Sequence, residues 1–299
     1  MSSFYEWQIK FIHFLQSFSN PFLDSFFTFL NYFDTFIFYF LLLPFIWVGY
    51  KRKWGIRLYF LIIISTLAGQ YLKNIFSQPR PFFLDPSVCK LVVKGYGFPS
   101  GAAIACVMIG VILIYTWKNT ASWILGLNYI FWISLSRIYL GVHFLTDIIG
   151  GWFLGLIFVY IFFKYFLSIE RFIKSIPVNS AYLLSQLLGV ILFFISDDIL
   201  GIYFSSSAMS IGAGLYLQNK YNNYLNDGKK FFEIVVRSSI ALIGSIGIYF
   251  LVKWILSFFT FGYQKSITIF IAIYIIGIWI SFLVNYICKL FLKKSPVSK

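Results

Sequence analysis

Stretches of about twenty apolar residues recur from one end of the chain to the other, and this repetition constrains the fold more than any other feature. Roughly 20 such residues let a helix cross the hydrocarbon core of a bilayer. Residues 55–77, 99–118, 121–138 and 144–167 meet the requirement, as do 180–196, 199–218, 231–258 and 266–291. The longer run 22–50 is expected to hold a spanning helix from about residue 33, preceded by a short piece. Charged residues are only 11% of the 299, and the mean hydropathy is +0.83. A soluble domain carries about 25% charged residues, and one of this size could not bury so much apolar surface in a single core. Cys89, Cys106 and Cys288 form no CxxC pair, so neither a zinc site nor a disulfide framework is indicated. The expected fold class is an all-α, polytopic integral membrane bundle.

Residues 1–20 alternate aromatics with Glu6, Gln8, Lys10, His13 and Gln16 before Asn20-Pro21, which predicts an amphipathic interfacial helix, with a short first span as the alternative. No basic stretch opens the chain, so no cleavable signal is expected there. The polar segment 168–179 marks a boundary between a core region, 21–170, and a four-span region, 178–299. The net charge of +14 is scattered in small clusters between apolar runs, a topology signal and not a nucleic-acid-binding face. With the spans alternating, fifteen Lys and Arg fall on one side and six on the other, with Lys10, Arg237 and Lys253 ambiguous. The richer side is expected to be cytoplasmic. The poorer side is then extracytoplasmic, in a bacterial inner membrane.

That poorer side collects an unusual set of residues. Lys73 closes one span, Arg80-Pro81 follows, Ser100-Gly101 opens the next span, Arg137 closes another, and His143 with Asp147 opens the one after. Ionisable groups at such positions are costly and usually functional. Guanidinium and ammonium groups suit a phosphate, and Ser100-Gly101 at a helix start offers free N–H groups to an anion. His143 and Asp147, four residues apart, are neighbours on one helix face, so the carboxylate can fix the tautomer and leave the other ring nitrogen to act as nucleophile or base. A phosphate held by cations before an oriented imidazole is a phosphoryl-transfer site. No second carboxylate is placed to hold a metal, so no metal and no cofactor are expected. Asp197-Asp198 is read as a polar turn, Lys90 and Lys94 as solvated loop charges, and His13 is assigned no chemistry.

These residues fall into a recognisable pattern. Lys73 to Pro81 reads KNIFSQPRP, and Ser136 to Asp147 reads SRIYLGVHFLTD. In both order and spacing the chain resembles the type 2 phosphatidic acid phosphatases (PAP2), relatives of the vanadium haloperoxidases, over roughly residues 20–167. The resemblance implies that His143 attacks phosphorus to form a phosphohistidine and that Asp147 orients it. It implies that Lys73, Arg80, Ser100, Gly101 and Arg137 hold the phosphoryl oxygens. The family's second motif, which lies between these two segments, reads Pro-Ser-Gly-His, whereas this chain has Pro99-Ser100-Gly101-Ala102. The missing His would protonate the leaving group, and Ala102 has no proton to give.

Three readings of Ala102 stand side by side: an introduced His→Ala change, a natural residue in an enzyme whose leaving group needs little help, or the mark of a protein that binds without turnover. A natural Ala102 favours a diphosphate, since a departing phosphate, with a second pKa of about 6, is far less basic than an alkoxide. The expected function is a lipid phosphate or diphosphate phosphatase at the extracytoplasmic face, with a membrane lipid phosphate or polyprenyl diphosphate as substrate. The alternatives are a phosphotransferase that moves the phosphate to another lipid, and a catalytically inactive lipid-phosphate binder or carrier.

Overall fold

The computed structural model describes residues 3–195, 199–228, 230–258 and 264–292, and its regular structure over these residues is entirely helical. In chain order the helices are α1 (Ser3–Gln16), α2 (Pro21–Asn31), α3 (Phe36–Pro44), α4 (Arg52–Phe76), α5 (Pro81–Leu84), α6 (Gly101–Trp117) and α7 (Thr120–Tyr139). They continue as α8 (Leu145–Ser175), α9 (Val178–Ile195), α10 (Ile199–Lys220), α11 (Phe231–Leu256), α12 (Gln264–Ile278) and α13 (Val284–Leu292). Asp197-Asp198 lies outside the described residues.

Local chemistry sets several of these ends. Asn20 caps α2, its side chain accepting from Leu23 N at 3.0 Å with Pro21 at the first helical position. Asn119 and Ser122 form a reciprocal capping box at the start of α7. The apolar run 22–50 does not form one rod. It breaks at the short 3-10 turn Tyr32–Asp34, where the Thr35 hydroxyl donates to Tyr32 O at 2.6 Å and competes with the helical ladder.

Among the described residues, five helical segments are long and apolar enough to cross a membrane, Arg52–Leu84, Leu145–Ser175, Val178–Ile195, Phe231–Leu256 and Gln264–Phe291, and the bent pair Pro21–Asp34 and Phe38–Tyr50 makes a sixth if it is one span. The chain is thus an all-α, polytopic membrane protein. The expected spans at α7 and α10 are not among the five, and α6, at 17 residues, is shorter. Both α7 and α10 turn polar side chains inward: Ser134, Ser136 and Arg137 on α7, and Ser205, Ser206 and Ser210 on α10, are buried. The opposite pattern marks the outside, where Phe153, Tyr160, Phe172, Leu183, Phe194 and Phe250 are exposed, as lipid-facing side chains are.

Two compact units divide the chain: Met1–Phe40 with Tyr59–Leu167, and Leu41–Leu58 with Ser168–Lys299. In the first, Phe27, Leu30, Phe82, Ala102, Cys106, Ile133 and Tyr139 form a buried cluster. Lipid tails are as apolar as these side chains, so close contact and not transfer from water holds such helices together. Gly110 of α6 and Gly126 of α7 show how close. A Cβ on Gly110 would lie 2.9 Å from Gly126 O, and one on Gly126 would lie 2.8 Å from Gly110 O. The small residues after Ser100 also form a packing face, with Ala103 fully buried against Gly151 of α8. In the second unit, buried polar contacts tie helices together: Ser206 Oγ donates to Phe270 O at 2.6 Å and Asn285 Nδ2 to Asn223 O at 2.9 Å.

Candidate active site

The loop between α7 and α8 is built to place one imidazole. Its chain reverses at Gly141, whose φ is +71°. A Cβ there would lie 2.0 Å from Val88 O, so both backbone conformation and space demand glycine. The turn directs the Val142 and His143 N–H groups back to Arg137 O, at 3.2 and 3.3 Å. His143 then lies 5% exposed, two residues before α8 starts at Leu145.

Hydrogen bonding settles the protonation pattern of this ring. His143 Nδ1 is 3.2 Å from Asp147 Oδ2, which also accepts from Phe144 N at 2.9 Å. On the other side, His143 Nε2 is 3.3 Å from Arg80 Nη1. A guanidinium only donates, so Nε2 is the acceptor and Nδ1 carries the hydrogen toward Asp147. Burial, followed by the cations Lys73, Arg80 and Arg137, holds the imidazole pKa well below its ordinary 6.5. His143 is therefore neutral, with its Nε2 lone pair facing the positive charges.

Around Nε2 the structure gathers residues far apart in the chain. A cavity of about 220 Å³ is lined by Asn31, Asp34, Lys73, Arg80, Val93, Gly101, Ala102, Arg137, Val142 and His143. Arg80 is 2% exposed and donates from Nε to Gly95 O (2.8 Å), from Nη1 to Val142 O (2.9 Å) and from Nη2 to Lys94 O (3.1 Å). With the contact to His143, four of its five N–H groups are engaged and one on Nη2 is left over. Arg137 donates from Nε to Ser136 Oγ (3.2 Å) and from Nη1 to Asn31 Oδ1 (2.7 Å), while Asp34 Oδ2 is 3.5 Å from Nη1. Its Nη2 is buried without a hydrogen-bond partner. Lys73 Nζ donates to Tyr96 O at 3.2 Å and keeps two further hydrogens.

Six of the eight residues singled out from the sequence thus share the cavity wall: Lys73, Arg80, Gly101, Ala102, Arg137 and His143. The other two stand behind it. Ser100 is fully buried, caps α6 by accepting from Ala103 N at 3.4 Å, and donates its backbone N–H to Asp147 O at 3.1 Å. Asp147 is fully buried behind His143. Gly101 has open space where a Cβ would project, so the start of α6 is accessible from the cavity.

Sequence reasoning missed the contribution of α2 and the turn after it. Asn31 and Asp34 enter the cavity, and Asp24 accepts from Tyr139 Oη at 2.5 Å and Lys90 Nζ at 2.8 Å. Lys90 is therefore paired and not simply solvated, while Lys94 contributes its carbonyl to Arg80. Two acids inside the apolar run 22–50 were the available signal, since an intramembrane carboxylate needs a reason to be there. Helix α1 also supports the loop: Gln16 Nε2 donates to Val88 O and Tyr139 O at 2.9 and 2.8 Å, and His13 Nε2 contacts Asp85 Oδ2 at 2.8 Å. Asp85 is pulled below its usual range by Ser87 and His13. A larger cavity of about 460 Å³, in the second unit near Asn179, Tyr182, Tyr216 and Tyr274, holds no acid or cation.

Fold and site together define a helical membrane protein with a buried, carboxylate-backed imidazole in a cationic pocket. Residues 54–171 match the PAP2 superfamily, a segment that contains every residue from Lys73 to Asp147. It is 36% identical over 106 residues to an undecaprenyl-diphosphatase of Sulfolobus acidocaldarius, covering 35% of this chain and 51% of the relative. It is 29% identical over 135 residues to phosphatidylglycerophosphatase B of Bacillus subtilis, covering 41% of this chain and 64% of that one. The matches therefore span about half and under two thirds of these relatives. Among solved structures, Aquifex aeolicus LpxE superposes with a TM-score of 0.49 at 30% identity, over 53% of this chain and 95% of that one.

Proposed function

We propose that this protein is a phosphatase of lipid phosphates or diphosphates that works through a phosphohistidine on His143 at the extracytoplasmic face of the membrane. The observation that carries the proposal is the polarity of the His143 ring: Nδ1–H toward Asp147, and Nε2 toward Arg80 in a pocket shared with Lys73 and Arg137. A phosphoryl group in this pocket would meet the spare N–H groups of Arg80, Arg137 and Lys73. They neutralise its charge and leave phosphorus open to Nε2. Attack forms the P–N bond and breaks the P–O bond to the lipid, and Asp147 stabilises the positive charge that develops on the ring. Water then displaces the histidine and releases phosphate. The lipid tails remain in the bilayer while the headgroup occupies the cavity. The catalytic roles of His143 and Asp147, and phosphate binding by Lys73, Arg80, Gly101 and Arg137 with Ser100 supporting the loop, all belong to this proposal.

The donor set argues against a resident divalent cation, because three cations line the pocket and would repel it. Phosphate release from lipid mono- and diphosphates should therefore persist in chelator. His143→Asn should abolish it, and an acid-labile phosphoenzyme should be trapped in the unaltered protein and not in the variant. Release that survives His143→Asn refutes the mechanism. For sidedness, Val92 is 75% exposed in the loop bearing Lys90 and Lys94, so Val92→Cys should react with an impermeant maleimide from outside intact cells only. Ala102 on the cavity wall favours one rival, a lipid-phosphate binder without turnover, which predicts tight binding and no phosphate release. A phosphotransferase would instead deliver labelled phosphate to an added acceptor lipid.

A further inference from the structure

Cleavage of a lipid monophosphate expels an alkoxide, and an alkoxide needs a proton. The family's donor position is occupied here by Ala102, 3% exposed, whose methyl group lines the cavity. Among the described residues no second imidazole lines that cavity. Asp34 does. It ends the 3-10 turn that interrupts the run 22–50, and its carboxyl shares the wall with Ala102, Arg137 and His143.

As a phosphate ligand this carboxyl is out of place, since a carboxylate repels a phosphate. Nor is it the main anchor of Arg137. The short contact to Arg137 Nη1 comes from Asn31 Oδ1 at 2.7 Å, whereas Asp34 Oδ2 stands off at 3.5 Å. A carboxyl and a phosphate facing each other in one small pocket resolve the conflict by holding a proton between them. That proton is then in place for the oxygen that leaves.

We propose that Asp34 is the proton donor for the leaving group, replacing the function absent at Ala102. This assignment rests on the phosphohistidine reading above and deepens it. As Nε2 of His143 bonds to phosphorus, the P–O bond breaks, and the departing oxygen takes the proton of the Asp34 carboxyl. The lipid alcohol leaves and Asp34 becomes a carboxylate. In the second half, a water proton passes to that carboxylate as the water oxygen bonds to phosphorus and the P–N bond breaks. Asp34 is thereby reprotonated and inorganic phosphate is freed.

The test exploits the leaving group. A lipid diphosphate expels a phosphate with a second pKa of about 6, which departs without help, and a lipid monophosphate expels a strongly basic alkoxide. Asp34→Asn should therefore lower monophosphate turnover by about 10²–10⁴-fold, the usual contribution of a general acid, and lower diphosphate turnover by less than about tenfold. In the Asp34→Asn background, Ala102→His should recover at least about tenfold of the monophosphate rate, because it restores a donor of the family type. A loss equal for both substrates would overturn the assignment and leave Asp34 a positioning group for Arg137, and that outcome needs no folded Ala102→His variant. His143→Asn separates the two layers. If the unaltered chain releases no phosphate, or its release survives His143→Asn, the phosphohistidine reading fails and takes this assignment with it. If release needs His143 while Asp34→Asn costs nothing or costs both substrates alike, only the Asp34 assignment fails.

Discussion

Replacing Asp147 by Asn removes a charge and changes little else, so its effect can be worked out from two hydrogen bonds. Asp147 Oδ2 faces both His143 Nδ1, at 3.2 Å, and Phe144 N, at 2.9 Å, while Oδ1 is buried with no hydrogen-bond partner. The Phe144 N–H is a fixed donor. It repels an amide NH2 and selects the orientation in which the Asn oxygen takes the place of Oδ2. That oxygen still accepts from Nδ1–H, so the imidazole keeps its reactive tautomer. Only the charged character of the hydrogen bond is lost. Bonds to charged groups contribute about 1.5–3 kcal/mol and neutral ones about 0.5–1.5, a difference of about 1–2 kcal/mol. At 1.36 kcal/mol per decade this is a fall in kcat/KM of about 5–30-fold. A reversed amide would instead place the hydrogen on Nε2 and cost about 10⁴-fold, the size expected for a wrong tautomer. The assay is initial phosphate release from lipid phosphate in detergent micelles, with KM fitted separately. KM should stay near that of the unaltered protein, because Asp147 does not line the cavity. A loss above about 10³-fold would refute the assigned role of Phe144, and a loss under about twofold would refute any contribution from the carboxylate charge.

Further outcomes follow from the same geometry. Gly141→Ala forces a Cβ to within 2.0 Å of Val88 O at φ +71° and should destabilise the protein by about 2–4 kcal/mol, read as a lower thermal midpoint in detergent. Arg80→Lys keeps the charge but cannot serve Gly95 O, Lys94 O, Val142 O and His143 together, so at least one buried carbonyl loses its donor. A stability loss of about 1–3 kcal/mol with a raised KM is expected, and unchanged values for both would contradict the site. Because His143 is held neutral well below its ordinary value, kcat/KM should stay flat through neutral pH, with its acid limb below about 6.5. The native state then binds fewer protons than the unfolded chain below about pH 6.5, so His143's contribution to stability is complete above that pH and is lost as pH falls toward the folded pKa. An acid limb at or above about 6.5 would contradict the burial and charge placed around the ring.

The apolar runs and two spaced motifs carry much of this protein on their face. Helix identity was legible because a bilayer makes one demand, about twenty apolar residues with every backbone group bonded internally, and that demand is visible locally. His143 and Asp147 were legible as a pair from their separation of four residues, although His143 lies in the loop before α8 and Asp147 in its first turn, so the contact is made across the helix start and not along one helix face. The run 22–50 was expected to divide near residue 33, and it does so at Tyr32–Asp34; what the sequence did not show is that the helix after the break is short, α3 ending at Pro44.

The site's full membership needed the fold. Asn31 meets Arg137 across 106 positions of sequence, Asp24 meets Tyr139 across 115, and Gln16 reaches Tyr139 O across 123. No periodicity or spacing encodes such pairs. They exist because α1 and α2 pack against α7, so that residues on their ends share one small volume with it. Sequence alone therefore determined that the chain enters a membrane and that an imidazole, a carboxylate and several cations recur at helix ends on one predicted side. Tertiary structure alone decided which way that imidazole faces, which cations keep spare N–H groups, and that a carboxyl on Asp34 shares the wall with Ala102, because hydrogen-bond direction is set by where distant backbones come to rest.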